Sequence, residues 1–144
     1  MEIPKFLRER AVQAIDSLLT IQEAAGLMQI HNVGALLVIE DGRLVGLISE
    51  RDIACKVAAE GRDPSTTLVQ QAMTSEVISV VETDSLEYAM ELMQRHHIRH
   101  LPMMRDGQVL AMLGLRDLCE LRVKLLHSEN RNLASLVALH DQDA

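Results

Sequence analysis

The chain has no tryptophan, one phenylalanine (Phe6) and one tyrosine (Tyr88) among its 144 residues. Single-stranded nucleic acid is held by stacking bases on aromatic side chains, so that mode of binding is excluded. Positive charge is scarce as well. Fourteen Lys and Arg face 21 Asp and Glu, a net charge of −7, where tracking a phosphate backbone needs a basic face. No apolar run approaches the ~20 residues of a membrane-spanning helix, and the opening Met-Glu-Ile-Pro does not read as a secretory leader. Two cysteines, Cys55 and Cys119, are too few for a disulfide framework. They fit a reducing interior, each packed as a small hydrophobe. Nucleophile-elbow, phosphate-loop, HExxH and Cys-x-x-Cys patterns are all missing. The expectation is a cytoplasmic, non-enzymatic protein that binds neither nucleic acid nor membrane.

What the chain does contain is aliphatic bulk, with 48% hydrophobic residues, and a repeat. Residues 27–53 align without a gap on residues 92–118, 65 positions later, and nine of the 27 positions are identical. The matches include His31/His96, Leu36/Leu101, Asp41-Gly42/Asp106-Gly107 and Arg51-Asp52/Arg116-Asp117. A repeat of roughly 60 residues buries too little surface to be stable alone, so the halves are expected to share a core. Two copies are too few for a solenoid but enough to pack face to face, and a ligand site between them should come as a related pair.

Local signals place the elements. Pro4 to Arg10 reads as a short opening helix and Val12–Ile15 as a brief strand. Thr20 with Glu23 opens a helix whose Ile21, Ala24, Ala25 and Met28 share one face, with Gly34 ending it. Residues 35–39 and Arg43–Ser49 form a hairpin about Asp41-Gly42, followed by a helix over Asp52–Glu60 that Gly61 stops. A linker at 61–71 contains the turn-rich Gly61–Thr67, and a short helix about Leu68–Met73 leads to a strand over Val77–Val81. Asp84 or Ser85 then caps a helix carrying Leu86, Ala89, Met90 and Met93 on one face. A second hairpin turns at Asp106-Gly107, and a helix from Arg116 runs on with a break near Ser128–Asn132 and a frayed tail. The methionines at helical spacing read as core filler.

Two constellations carry chemistry. Ser49-Glu-Arg-Asp52 lies where a strand passes into a helix, and as a structural motif it is a capping box. Its second copy keeps Arg116-Asp117 but has Gly114 in place of the serine, so the carboxylate recurs where the capping pair does not. A carboxylate at such a turn can accept both hydroxyls of a ribose, beside helix-terminal amides that favour an anion. The run Arg95-His-His-Ile-Arg-His100 reads as cations at a helix C-terminus, as a metal site of unusual spacing, or as an anion site in which Arg99 and His100 meet a phosphate.

These residues resemble a tandem pair of cystathionine-β-synthase-type (CBS) domains, a Bateman module. The resemblance rests on Gly34–Ile39 with Asp41-Gly42 and Leu44–Asp52, on the second copy Arg99–Met104 with Asp106-Gly107 and Val109–Asp117, and on Ala72-Met73-Thr74. It implies an α/β (α+β) fold of two β-α-β-β-α repeats about a pseudo-twofold axis, over residues 8–60 and 72–125, with a helical tail at 126–144. It also implies two clefts for an adenosyl compound (AMP, ADP, ATP, NAD or S-adenosylmethionine), no required cofactor, and a stand-alone homodimeric signal transduction protein that regulates a partner. The implied nucleotide-binding residues are Ser49, Arg51, Asp52, Val77, Ile78, Arg99, His100, Pro102, Arg116 and Asp117. The second cleft departs from the family pattern at Gly114 and at Ala111, which replaces the glycine found at Gly46. A ligand-free dimerisation or protein-interaction module is the alternative.

Overall fold

Residues 2–8 and 12–142 are described in the computed structural model. A short helix α1 (Lys5–Arg8) is followed by β1 (Ala14–Asp16), α2 (Ile21–His31), β2 (Ala35–Glu40), β3 (Arg43–Ser49) and α3 (Glu50–Ile53). Helix α3 runs on as a π-helical turn over Ala54–Ala58. The second half comprises α4 (Val69–Ala72), β4 (Val80–Val81), α5 (Leu86–His96), β5 (His100–Arg105), β6 (Gln108–Gly114) and α6 (Leu115–Gln142). Each half has a three-stranded sheet, ordered β1-β2-β3 and β4-β5-β6, with the first pair parallel and the hairpin antiparallel.

The 65-residue period survives to the level of single hydrogen-bonded pairs. Ala35 pairs with Ser49 and His100 with Gly114, and the bulge between Val38 and Ile39 recurs between Met103 and Met104. Both hairpins turn through Asp-Gly with two positive φ angles, 51° and 75° in the first and 49° and 78° in the second, the twist that tight hairpins favour. Thr20 and Ser85 cap α2 and α5 by accepting the backbone N–H of Glu23 and Tyr88, while Asp84 accepts from Val81 in the turn before. Helix α2 ends earlier than Gly34: Asn32, and His97 at the same place in α5, takes the left-handed conformation and closes the helix. Gly34 answers to space instead. A Cβ there would sit 3.2 Å from His100 Nε2.

Two cores form, and they are interlocked. Ile21, Ala24, Met28, Leu36, Val38 and Ile48 pack the first, and Leu86, Ala89, Met93, Leu101, Met103 and Leu113 pack the second. The first core also takes Val69 and Ala72 of α4, whereas the second takes Ile3 and Leu7 from the N-terminal segment. Each half thus borrows the segment that precedes the other. The stretch at 61–71 is no free spacer, since Thr67 and Val69 are buried and Ile21 donates its N–H to the Thr67 carbonyl.

Several sequence expectations shift. Strand β1 lies at Ala14–Asp16 and α3 begins at Glu50, and the opening helix covers Lys5–Arg8, with Glu9–Ala11 outside the described residues. The strand expected over Val77–Val81 shrinks to Val80–Val81. Pro102 gives the reason. Its counterpart Leu37 donates its N–H to the Gln13 carbonyl at 3.0 Å, and a proline has no such proton. The matching bond to Ile78 cannot form, so β4 starts at the pair Val80–Met103. The break expected near Ser128–Asn132 does not occur, because α6 runs unbroken to Gln142. His127 to Arg131 are exposed, and such residues cost only a few tenths of a kcal/mol each in a solvated helix, unlike Gly or Pro. Of the expected frayed tail, Asp143 and Ala144 lie outside the described residues. Cys55 and Cys119 are exposed rather than packed.

One glycine tests the interlock. A Cβ on Gly46 would lie 2.8 Å from both the Thr74 carbonyl oxygen and Met73 Sδ. Leu47 and Thr74 exchange two backbone hydrogen bonds at 2.8 and 2.9 Å, so the carbonyl cannot retreat. Gly46→Ala is expected to cost about 1–3 kcal/mol by overpacking, read as a lower urea midpoint. An unchanged midpoint would show that the α4 segment is loosely held.

Candidate functional site

Two clefts open between the halves. The first has a volume of about 800 Å³ and is lined by Ser49, Arg51, Asp52, Lys56, Thr74, Val77 and Ile78 among others. That is within the roughly 300–1,000 Å³ usual for small-molecule sites. The second, about 1,230 Å³, takes in Gln13, Asn32, Gly114, Arg116, Asp117 and Cys119. They share a wall made of Gly34, Ala35, Glu50, Ala54, Arg99 and His100. The segment from Thr74 to Val80 leaves the first half and enters the second, which carries Val77 and Ile78 along the first cleft rather than into a sheet.

The capping box at Ser49 is real. Ser49 Oγ accepts the Asp52 N–H at 3.1 Å, and Asp52 Oδ2 accepts both the N–H and the hydroxyl of Ser49 at 3.0 Å. The other carboxylate oxygen, Oδ1, accepts the Thr74 hydroxyl at 3.1 Å and meets Lys56 Nζ at 3.0 Å. Asp52 is buried, and four donors converge on it. The structural and functional readings therefore fall on the same side chain. Sequence reasoning overlooked Lys56 and used Thr74 only within the run Ala72-Met73-Thr74. The signal for Lys56 was its place one helical turn after Asp52, an i, i+4 pair too common to stand out.

The repeated arginines do different things. Arg51 Nη1 donates to the His97 carbonyl at 3.2 Å and so ties α3 to the end of α5. Arg116 pairs with Glu120 at 3.3 Å, its side chain 91% exposed at the rim of the second cleft. Such an exposed pair adds little stability. In the second half Asp117 lies close over the glycine, since a Cβ on Gly114 would come within 3.1 Å of its Oδ2. His100 lies on the shared wall. Burial pushes its pKa below the ordinary histidine value, Glu50 and Asp117 pull it back up, and Arg99 adds to the lowering. A neutral imidazole can donate one hydrogen bond there but brings no full charge, which leaves Arg99 as the cation of that wall. Pro102 lines neither cleft. Two residues beyond His100, about 6–7 Å along β5, it is buried and paired with Met112.

Among the described residues no group of three or more His, Cys, Asp and Glu is placed to hold a metal ion, and no helix is long and apolar enough to cross a membrane.

A doubled β-α-β-β-α unit with an acidic residue at each strand-to-helix junction defines a class of tandem domain pair, and comparison with known proteins agrees. The CBS domain family model matches residues 9–58 and 69–124, and the chain belongs to that family. The CBS domain-containing protein YhcV of Bacillus subtilis is 46% identical over 99 residues, covering 69% of this chain and 70% of the relative. The mitochondrial CBS domain-containing protein CBSX3 of Arabidopsis thaliana is 34% identical over 124 residues, 83% of this chain but only 59% of the relative's length. Among solved structures, the CBS domain pair of the protein MJ0100, in complex with 5-methylthioadenosine and S-adenosyl-L-methionine, superposes with a TM-score of 0.75 at 25% identity, covering 83% of this chain and 94% of that one.

Proposed function

We propose that this chain is a non-catalytic, cytoplasmic sensor that binds an adenosine-containing compound between its CBS repeats and passes the occupancy to a partner protein. The reading is carried by the pairing of Asp52 and Asp117 at equivalent strand-to-helix junctions, each on a cleft with aliphatic walls and an adjacent arginine. In the first cleft Ser49 and Asp52 would take the ribose hydroxyls, Val77 and Ile78 the adenine face, and Arg99 a phosphate. Arg116 and Asp117 would serve the second. MJ0100, which binds two adenosyl compounds, supports the ligand class. Assembly as a homodimer belongs to the same proposal.

Anything that binds the folded state raises stability by mass action, about 2.7 kcal/mol at a hundredfold excess over Kd. A thermal-shift screen of AMP, ADP, ATP, NAD and S-adenosylmethionine is therefore expected to yield at least one concentration-dependent rise in Tm. A flat response to all five at millimolar concentration would defeat the sensor reading. One observation favours the ligand-free interaction module instead: the Asp52 carboxylate is already satisfied by the chain's own donors. Partner binding that persists, without nucleotide, in an Asp52→Ala, Asp117→Ala double variant would decide for it.

A further inference from the structure

We propose that Lys56 sharpens the first cleft's selectivity for phosphorylated adenosines over uncharged or cationic ones, and that the second cleft lacks this displaceable lysine. The inference deepens the nucleotide reading above and rests on it. A carboxylate offers about four lone-pair positions, and on Asp52 all four are taken: by the Ser49 N–H, the Ser49 hydroxyl, the Thr74 hydroxyl and the Lys56 ammonium. A ribose diol can bind this carboxylate only by displacing a donor. The Ser49 N–H is backbone and fixed. The Ser49 hydroxyl is held by the Asp52 N–H that its oxygen accepts, and the Thr74 backbone by its two bonds to Leu47. Lys56 is the donor free to go, because its side chain is 43% exposed and its ammonium sits on four rotatable bonds.

Its departure strips a carboxylate only 11% exposed of its counter-charge, which is unfavourable unless the cation finds another anion nearby. A phosphate entering the same cleft supplies that anion, so Lys56 exchanges one charge-assisted contact for another. Uncharged adenosine offers no replacement, and a sulfonium nucleoside adds a like charge. The second cleft is built differently. The residue one turn after Asp117 is Leu121, and it packs against the second core. No lysine stands at that register to be displaced.

The test is calorimetric titration of the full chain carrying Asp117→Asn, which removes the second cleft's carboxylate, with AMP and adenosine as probes. AMP is expected to bind at least about tenfold more tightly than adenosine, the scale of one charged hydrogen bond. Lys56→Met should shrink that ratio by about threefold or more, toward what Arg99 alone supports, largely by strengthening adenosine, and Lys56→Arg should restore it. Lys56→Gln serves as a second neutral variant if the methionine variant melts early. An AMP-to-adenosine ratio unchanged by loss of the charge, with both ligands still bound, overturns the selection and leaves the nucleotide reading standing. Failure of both probes to bind the intact wild-type chain overturns the two together.

Discussion

Asp52→Ala is expected to erase the ligand-induced rise in Tm and also to lower the unfolding free energy of the empty protein by about 2–4 kcal/mol. The stability loss has two sources. Removing the capping box at the start of α3, with its Ser49 N–H bond, costs about 0.5–2 kcal/mol, and leaving the Thr74 hydroxyl without its acceptor costs about 1–3 kcal/mol. Lys56, half exposed, adds little because water takes over its solvation. Asp117→Ala removes no serine–aspartate capping box, since Gly114 has no hydroxyl to complete one. Urea unfolding of the two variants, with and without a ligand found by the screen, reads both effects. An Asp52→Ala protein as stable as wild type, still shifted by ligand, would show that this carboxylate neither holds the fold nor meets the ligand.

The second large effect concerns the borrowed N-terminal segment. Ile3 and Leu7 are buried in the core of the half they do not precede. Replacing a buried Leu or Ile by Ala costs about 2–5 kcal/mol. Ile3→Ala with Leu7→Ala should therefore remove at least about 4 kcal/mol, a large share of the 5–15 kcal/mol that holds a domain together. Hydrogen exchange should locate the damage in β4, β5 and β6, sparing β1 to β3, although the substitutions lie at the start of the chain. Loss of protection confined to β1–β3, or none at all, would contradict the reciprocal packing.

That exchange of segments is where the sequence was least legible. The hairpins, their Asp-Gly turns and the capped helices α2 and α5 depend on residues within a few positions of one another, and local chemistry declares them. The doubled Arg-Asp pair pointed to both clefts because the same spacing occurred twice while its surroundings changed. Which half Ile3, Leu7, Val69 and Ala72 would join depends on contacts far apart along the chain, and no periodicity encodes that. Ile3 and Leu7 precede both repeats, so the repeat pattern says nothing of where they pack. Pro102 was legible as a proline, but its consequence was not: it removes one ladder bond and shortens the neighbouring strand, which appears only when Leu37 and Gln13 show what the bond should be. Lys56 was hidden by its ordinariness, one helical turn from an aspartate.

Helix α6 has 28 residues and so measures about 42 Å. Its first turns hold Arg116, Asp117 and Cys119, all at the second cleft. On so long a rod, a small change of angle at the foot is magnified at the far end. A lean of about 5° at its foot sweeps its far end through roughly 4 Å over that length. A shift too small to notice around a sugar ring would become, at the other extreme of the rod, about the distance between consecutive Cα atoms.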